Sequence, residues 1–576
     1  MIFDALSVAG SSLKAQQKAI DVVAHNIANV NTAGYSRQVA DLGSAAPDKI
    51  GDLNFGRGVN LQNIHRVIDP AINQAQLNNG SQLSYWQTVN SGLVSVENVF
   101  GSLQSTGLSS SLDQFFTSWQ QLANNPQDVA QKGNVRAKTD AIISNMNNMQ
   151  QQLAGAQDTA DASINQSITG ANQLLDSIAA LSQQINRQET AGAAGVGSAN
   201  DLRDQRDLAL QQLAKIVPVQ QINTGDNSFL VQTLDGDLLV QDASVQHLAR
   251  GTALPGAFAN IVVAETGSVV RGVNRGGEIG ALIEMRDNTL NGYLADLNSI
   301  AANLVFSVNQ IHSNSAPAGG HTAISSAQTS NPALALDDPA QTAPFSGQIV
   351  SGSFKVHLYD ATGAATPVGG TAIAVTAGTT TMSDIAASLN AIPGLTAAVD
   401  ASGLLNLTAG AGGSFAFSDD NSNVLAAYEI NSFFQGSDAA SISTSSAIQA
   451  NAGAINTGQV NSLTSVISTG DNQGATAVVA LQDIAVSVDG SPLLSLHNRT
   501  ASMATSYGTD VSVASQQEQY RSVEAESLAN QRQAFSGVNV DEELVEMIKF
   551  QRGYEASAKI ITTTNQMLDS LMGLIR

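Results

Sequence analysis

The chain has 576 residues, of which 43% are hydrophobic and only 13% charged; 48 Asp plus Glu against 25 Lys plus Arg give a formal charge of −23, and there is no cysteine. That length exceeds what one hydrophobic core can serve and predicts about three to five domains. The acidic balance argues against a nucleic-acid-binding stripe and against docking on anionic lipid; the lack of cysteine excludes a disulfide framework, thiolate zinc and thiol catalysis.

The first charges are Asp4 and Lys14, unlike the basic and apolar regions of a secretory leader. No run approaches the roughly 18 apolar residues of a membrane span. A protein that is soluble, or exported without a cleaved signal peptide, is therefore expected, with no membrane insertion.

The first predicted element is a helix over residues 1–32. Leu6, Ala9, Leu13, Gln16, Ile20, Val23, Ile27 and Val30 step alternately by three and four, the a/d pattern of a coiled coil. It ends where Asn29, Asn31, Thr32 and Gly34 compete for the backbone or accept a left-handed conformation. Residues 35–65 read as extended, with Gly51, Gly56 and Gly58 as turn points. A second helix starts at Pro70, a residue suited to a first turn, and reaches about Phe100. Residues 108–190 are helical with a break at Asn125-Pro126, and a seam from Ile142 through Met146, Met149, Leu153 and Ile164 implies burial in an intramolecular bundle. Gly192–Gly197 is a break, and Asn200–Leu213 restarts the helix.

From Val217 to about Val273 the texture is that of short strands, with Asp235-Gly236 as a hairpin turn. Helix resumes over Gly277–His312. The Gly-, Ala-, Ser- and Thr-rich stretch 316–427 reads as an inserted all-β domain facing solvent, and the chain is helical again after Gly490. Near the C-terminus, Leu544, Met547, Gln551, Tyr554, Ala558, Ile561, Asn565, Leu568, Met572 and Ile575 repeat the N-terminal pattern. Asn539 is a candidate N-cap, and Asp541, Glu542 and Glu543 suit the positive end of the helix dipole.

The fold class is thus α+β and multidomain: terminal coiled-coil or bundle helices from both chain ends, with β-rich domains inserted between. The expected divisions are 1–80 with 530–576 as a terminal assembly domain; 81–215, 276–315 and 490–529 as a helical bundle; 216–275 as a small β-rich subdomain; 316–427 as the insert; and 428–489 as the return segment. Termini normally fray; here they carry the most regular apolar pattern, so the two ends are expected to pair with each other and with neighbouring subunits.

Catalytic signals are weak. The seven histidines show no HxxxH or HExxH spacing. Asp419-Asp420-Asn421 lacks the full ligand series of a calcium loop, and no P-loop or GxSxG occurs. No enzyme activity, cofactor or metal is expected.

The string NIANVNTAGYSRQ at 26–38 resembles the signature of the rod, hook and hook-associated axial proteins of the bacterial flagellum. SGVNVDEELVEMIKFQRGYEASAKIITTTNQMLDSL at 536–571 resembles the matching C-terminal segment. Three internal blocks, ANDLRDQRDLALQQLA at 199–214, the stretch GGEIGALIEMRDNT opening 276–312, and INSFFQGSDAASI at 430–442, narrow the resemblance to the hook–filament junction branch of that family. Ala33 departs from the proline usual there. The resemblance implies a structural subunit exported unfolded through the type III apparatus and self-assembling as a ring. Implied partners are the hook protein, a second junction protein and a cytoplasmic chaperone on the C-terminal segment. The assembly interface would comprise Leu6, Leu13, Ile20, Val23, Asn26, Ile27, Asn29, Gly34, Tyr35, Leu544, Met547, Tyr554, Ile561, Leu568, Met572 and Ile575. Alternatives are another axial protein (hook, second junction protein or flagellin) and a secreted adhesin-like surface protein.

Overall fold

The computed structural model describes residues 2–50, 53–100, 107–191, 199–223, 229–253 and 257–574; Gly51, Gly192–Gly197 and Ile575 lie outside the described residues. The chain forms two compact units, each from discontinuous stretches: Met1–Ser91, Thr159–Asp287 and Ser512–Arg576 in one, Gly92–Asp158 and Asn288–Val511 in the other.

In the first unit, α1 (Ile2–Ala28) carries Asp4 in its first turn and His25 in its last, each matched to the dipole end it sits on. It terminates where the Asn29 amide donates to the His25 carbonyl at 3.0 Å and Gly34 takes φ +82°. β1 (Gln38–Ser44) then pairs antiparallel with β4 (Val59–Arg66), with a register shift at Asp41/Leu42; the short hairpin β2 (Asp48–Ile50) and β3 (Leu53–Phe55) lies between them in sequence. α2 (Pro70–Ser95) starts with the Asp69 carboxylate accepting from the Ala71 and Ile72 N–H groups, so Asp69 caps and Pro70 fills the first position.

α3 (Leu108–Asn124) belongs to the second unit, and the long α4 (Val129–Ala191) supplies residues to both. Within the first unit, the later part of α4 packs Ile164, Leu175 and Ile178 against Leu210 and Leu213 of α5 (Asn200–Ile216). The same core includes Val231 and Val240 from a four-stranded sheet, β5 (Val219–Asn223), β6 (Phe229–Thr233), β7 (Leu238–Gln241) and β8 (Ser244–Val245). Its β6–β7 turn is the expected Asp235-Gly236, with Gly236 at φ +91°. β9 (Leu248–Arg250) and β10 (Ile261–Val263) form a further pair.

α6 (Gly277–Glu284) closes this core with Ile279. Gly277 sits at φ +69°, and a Cβ there would lie 2.5 Å from the Ile216 carbonyl oxygen. Both the left-handed backbone and the close approach demand glycine. Gly277→Ala should therefore lower stability by at least about 2 kcal/mol, read as a fall of several degrees in the unfolding midpoint. An unchanged midpoint would show that the junction can shift at no cost.

The helix expected over 277–312 is divided by a π turn at Met285–Thr289, after which α7 (Leu290–His312) belongs to the second unit. There α3 buries Leu112, Phe115, Trp119 and Leu122 along one face, and Phe115 and Trp119 meet Phe433 edge-on or tilted at 5.3–6.2 Å between centroids. In α4, Ile142, Met146, Met149 and Leu153 are buried within this same chain. β11 (Ser315–Ala316) pairs with Gly458–Gln459. The insert contains two three-stranded antiparallel sheets. One is formed by β12 (Ala323–Ser325), β15 (Leu395–Val399) and β16 (Leu405–Ala409), the other by β13 (Gly352–Tyr359), β14 (Thr371–Val375) and β17 (Ser414–Ser418).

The insert is not all-β. α8 (Met382–Asn390) begins with a reciprocal capping box between Thr381 and Asp384 and buries Met382, Ile385, Ala386 and Leu389. Nine residues in an Ala- and Thr-rich background give too little periodicity to mark a helix from sequence. Asp420 spends its carboxylate on the Ser422 and Leu425 N–H groups, and Asp419 pairs with Lys355 at 3.0 Å. The last two helices are α9 (Leu496–Ser536) and α10 (Val540–Leu574).

Candidate assembly site

The two chain ends meet in the first unit. α10 runs antiparallel to α1: Ser557 Oγ lies 2.9 Å from Ser12 Oγ, and Asn26 meets Glu543 about 21 Å further along, 14 residues on at 1.5 Å each. The packed face of α1 is made of Ala9, Ala15, Ala19, Val22, Val23 and Asn26. On α10 the buried residues are Glu543, Ser557 and Thr564, and a Cβ on Gly553 would come 2.9 Å from the Gln16 side chain. Small residues therefore let the two helices approach closely.

The expected apolar stripes border this seam. Val23 and Asn26 are buried; Leu6, Leu13, Ile20, Ile27, Asn29, Gly34 and Tyr35 are half-buried. On α10, Met547, Ile561 and Leu568 are half-buried, whereas Leu544, Tyr554 and Met572 are 44, 36 and 68% exposed. Val545, Ile548, Ile560, Met567 and Leu571 are exposed as well. The heptad picks out the largest apolar side chains; the intramolecular contact instead uses the neighbouring row of Gly, Ser and Thr.

At the C-terminal end of α1 a polar lock joins three distant parts of the chain. Asn26 Nδ2 donates to the Gln38 carbonyl at 2.8 Å and to Glu543 Oε2 at 2.9 Å, while Asn26 Oδ1 accepts from Gln38 N at 2.9 Å and from the Tyr35 hydroxyl at 2.7 Å. One amide thus satisfies strand, turn and opposite helix together. Arg37 Nε donates to Glu543 Oε1 at 2.7 Å, with side-chain exposures of 27% and 2% respectively. Arg37 N donates to the Ser536 carbonyl and an Arg532 guanidinium N–H to the Gly34 carbonyl.

The third part is α5. Ser36 N donates to Asp204 Oδ2 at 3.0 Å, Gln38 Nε2 to Asp201 at 2.8 Å, and Arg66 bridges Asp204 and Asp207 at 2.8 Å each. Burial pushes the Asp204 carboxyl up, against the opposing pull of Arg66. Burial works to lower the Arg66 pKa, but Asp207 and Asp204 outweigh it and hold the guanidinium above its ordinary value. The Tyr35 phenol is raised by burial and then by Asp201, Asp204 and Glu543, so it stays a neutral donor. His25 lies 3.2 Å from the Tyr35 oxygen and 3.5 Å from Asp201.

Sequence reasoning assigned Glu543 to dipole capping and gave Arg37, Arg66, Asp201 and Asp204 no role. The capping is done by Asn539, whose Oδ1 accepts from Asp541 N at 3.1 Å; Glu543 turns inward to Asn26 and Arg37 because its backbone position faces α1. The charge pattern of 201–207 was the available signal for α5, but nothing local says which cations it meets. Beside the lock, a groove of about 510 Å³ runs between α1, β1 and α10, with Val22, Val39, Leu42 and Phe550 among its lining and Glu546 and Lys549 at its edge. The arrangement can hold helices and receive apolar side chains; among the described residues no group of three or more His, Asp or Glu side chains could hold a metal ion. No described helix is long and apolar enough to cross a membrane.

Residues 93–323 match the family described as flagellar hook-associated protein FlgK helical domain. Residues 6–35 match flagella basal body rod protein, and 529–574 match flagellar basal body rod FlgEFG protein C-terminal. The chain is 26% identical to flagellar hook-associated protein 1 of Salmonella typhimurium, across 98% of both chains. It is 24% identical to the protein of that name from Escherichia coli over the same shares, and 29% identical to that of Bacillus subtilis over 44% of this chain and 51% of the relative. In fold it is similar to the flagellar hook junction protein FlgK from Burkholderia pseudomallei, with a TM-score of 0.53 at 16% identity, covering 81% of this chain and all of that one. With one helical-domain match in the middle, axial-protein matches at both ends, and relatives aligned nearly end to end, the chain is similar to flagellar hook-associated protein 1 along almost its whole length.

Proposed function

We propose that this chain is a structural subunit of the bacterial flagellum at the junction of hook and filament, assembling through its terminal helices. The observation that carries this reading is the pairing of the two chain ends by the Asn26–Arg37–Glu543 lock, which leaves large apolar side chains exposed along α10. Exposed apolar stripes on a water-soluble chain are expected to be covered by a partner. Repeated copies arranged around an axis would cover them with one another, and the hook protein and the second junction protein would meet the two ends of that ring.

The same stripes are a hazard before assembly. A cytoplasmic chaperone on the C-terminal segment would shield them, and export in an unfolded state would deliver the chain to its site. Limited proteolysis of the purified chain tests the terminal part of this account. If ordering of the ends is completed by assembly, roughly the first 60 and last 40 residues should be cut first; equal resistance throughout would show that the lock alone secures them. Immunogold labelling of intact flagella tests the location: a single band where hook meets filament is expected, and label spread along the filament would sink the junction reading in favour of a filament protein.

A further inference from the structure

The second unit contains a half-open pocket of about 350 Å³, lined by the end of α7, β12 and the 429–456 segment, within the volume range of small-molecule sites. Its polar lining is unusual in what it leaves unused. Glu429 is 2% exposed; its Oε1 accepts from Gly436 N at 3.0 Å and Gln328 lies beside the carboxyl, while Oε2 is buried with no partner. Asn456 donates through Nδ2 to the Asn431 Oδ1 and leaves its own Oδ1 unpaired. Ser445 Oγ and His321 Nε2 are likewise buried without a partner. Leaving such groups unsatisfied is costly, and the backbone at Glu429 and Asn431 is held at φ +53° and +56°, a conformation that side-chain-bearing residues rarely adopt.

The unused set is acceptor-rich: a carboxylate oxygen, an amide oxygen, a hydroxyl and an imidazole nitrogen. Pro317, Ile324 and Ile448 supply apolar wall. We propose that this pocket binds a small ligand through a protonated primary amine, with Glu429 meeting its charge and three of the four unpaired atoms on Glu429, Asn456, Ser445 and His321 accepting its three N–H groups. An ammonium matches the set because it brings donors only, and its charge compensates the buried carboxylate.

The surrounding titratable groups leave Glu429 to govern the pH response. His312 spends Nδ1 on the Asn431 carbonyl and Nε2 on Asn456 N, and burial pushes it down to about 4; burial does the same to His321. Lys132, from α4, donates to the Gly453 carbonyl at 3.2 Å and faces His312. Burial pushes the Glu429 carboxyl up to about 7, so binding an ammonium below that pH must release its proton.

Calorimetry on the full-length chain with n-butylammonium, n-butanol and tetramethylammonium as probes separates the possibilities. Butylammonium alone should bind, about tenfold more weakly near pH 6 than near pH 8, because a group titrating at 7 goes from about one-tenth to nine-tenths ionised. Glu429→Gln should abolish binding and its pH dependence; Ser445→Ala, which leaves the carboxylate in place, should weaken it several-fold. Equal binding of butanol would overturn the proposal by showing a merely apolar slot. Equal binding of tetramethylammonium would overturn the role of the N–H donors. Absence of binding near pH 8 by a folded wild-type chain would also overturn it, assigning the unpaired atoms to buried water.

Discussion

Replacing Glu543 by alanine should uncouple the two ends of the chain while leaving the α4–α5–sheet core of the same unit folded. The substitution strips Arg37 Nε and Asn26 Nδ2 of a shared acceptor in a place where Glu543 itself is almost wholly buried. Removing one partner of a buried pair costs about 3–5 kcal/mol. Arg37 retains 27% exposure and can rehydrate, so about 2–3 kcal/mol is the expected loss here. Native-state hydrogen exchange should register it as lost protection in α1 and α10, with protection in α5 largely retained. A double-mutant cycle with Arg37→Ala should return a coupling of at least about 1 kcal/mol. Additive effects would mean that the ion pair is incidental and that helix packing alone holds the ends together.

Asn26→Ala probes the same lock from the other side, with a different weighting. It removes an amide that answers Gln38 N, the Gln38 carbonyl, the Tyr35 hydroxyl and Glu543 at once. Several buried groups then lose partners together, at about 1–3 kcal/mol for each that water cannot reach. The β1–β4 pair as well as α10 should loosen, and that broader pattern of exchange distinguishes loss of the amide from loss of the carboxylate.

The terminal pairing was legible in the sequence because helical periodicity is a local property: steps of three and four mark a face whatever it meets. Which face meets which was not legible. The stripe led by Leu544 and Tyr554 carries the larger apolar surface, yet α1 packs on Glu543, Gly553, Ser557 and Thr564. Small residues contribute little to an apolar pattern, and their value lies in the closeness they allow between two backbones. The polar lock was half legible. Asn26, Tyr35 and Gly34 stood out as a compact motif at a helix end, where local hydrogen bonding is anticipated from residue type. Glu543 and Asp204 lie 517 and 178 residues from Asn26, and no local chemistry selects them from the other acids. α8 was missed for a third reason: a nine-residue helix has room for only two turns of pattern.

Asp substitutions at Leu544 and Ile548 should leave the isolated chain about as stable as before, within about 0.5 kcal/mol, while preventing its assembly into flagella. The two side chains are 44% and 56% exposed, so a charge there stays in water in the isolated chain. In an assembled array it would be driven into an apolar contact, a burial that costs several kcal/mol for each unpaired carboxylate. Repeated in every copy, that penalty should abolish incorporation and, with it, motility. Ile20→Asp and Leu568→Asp should also block assembly, but both sites are half-buried and their effect on the isolated chain would blur the interpretation. The exposed pair separates the two roles of the C-terminal helix. Its inner row of small residues holds α1, and its outer row of large ones is free for a neighbour. Normal incorporation of the Leu544/Ile548 variant, measured by immunoblotting of purified flagella, would remove the outer row from the interface and move the search to the groove beside Phe550.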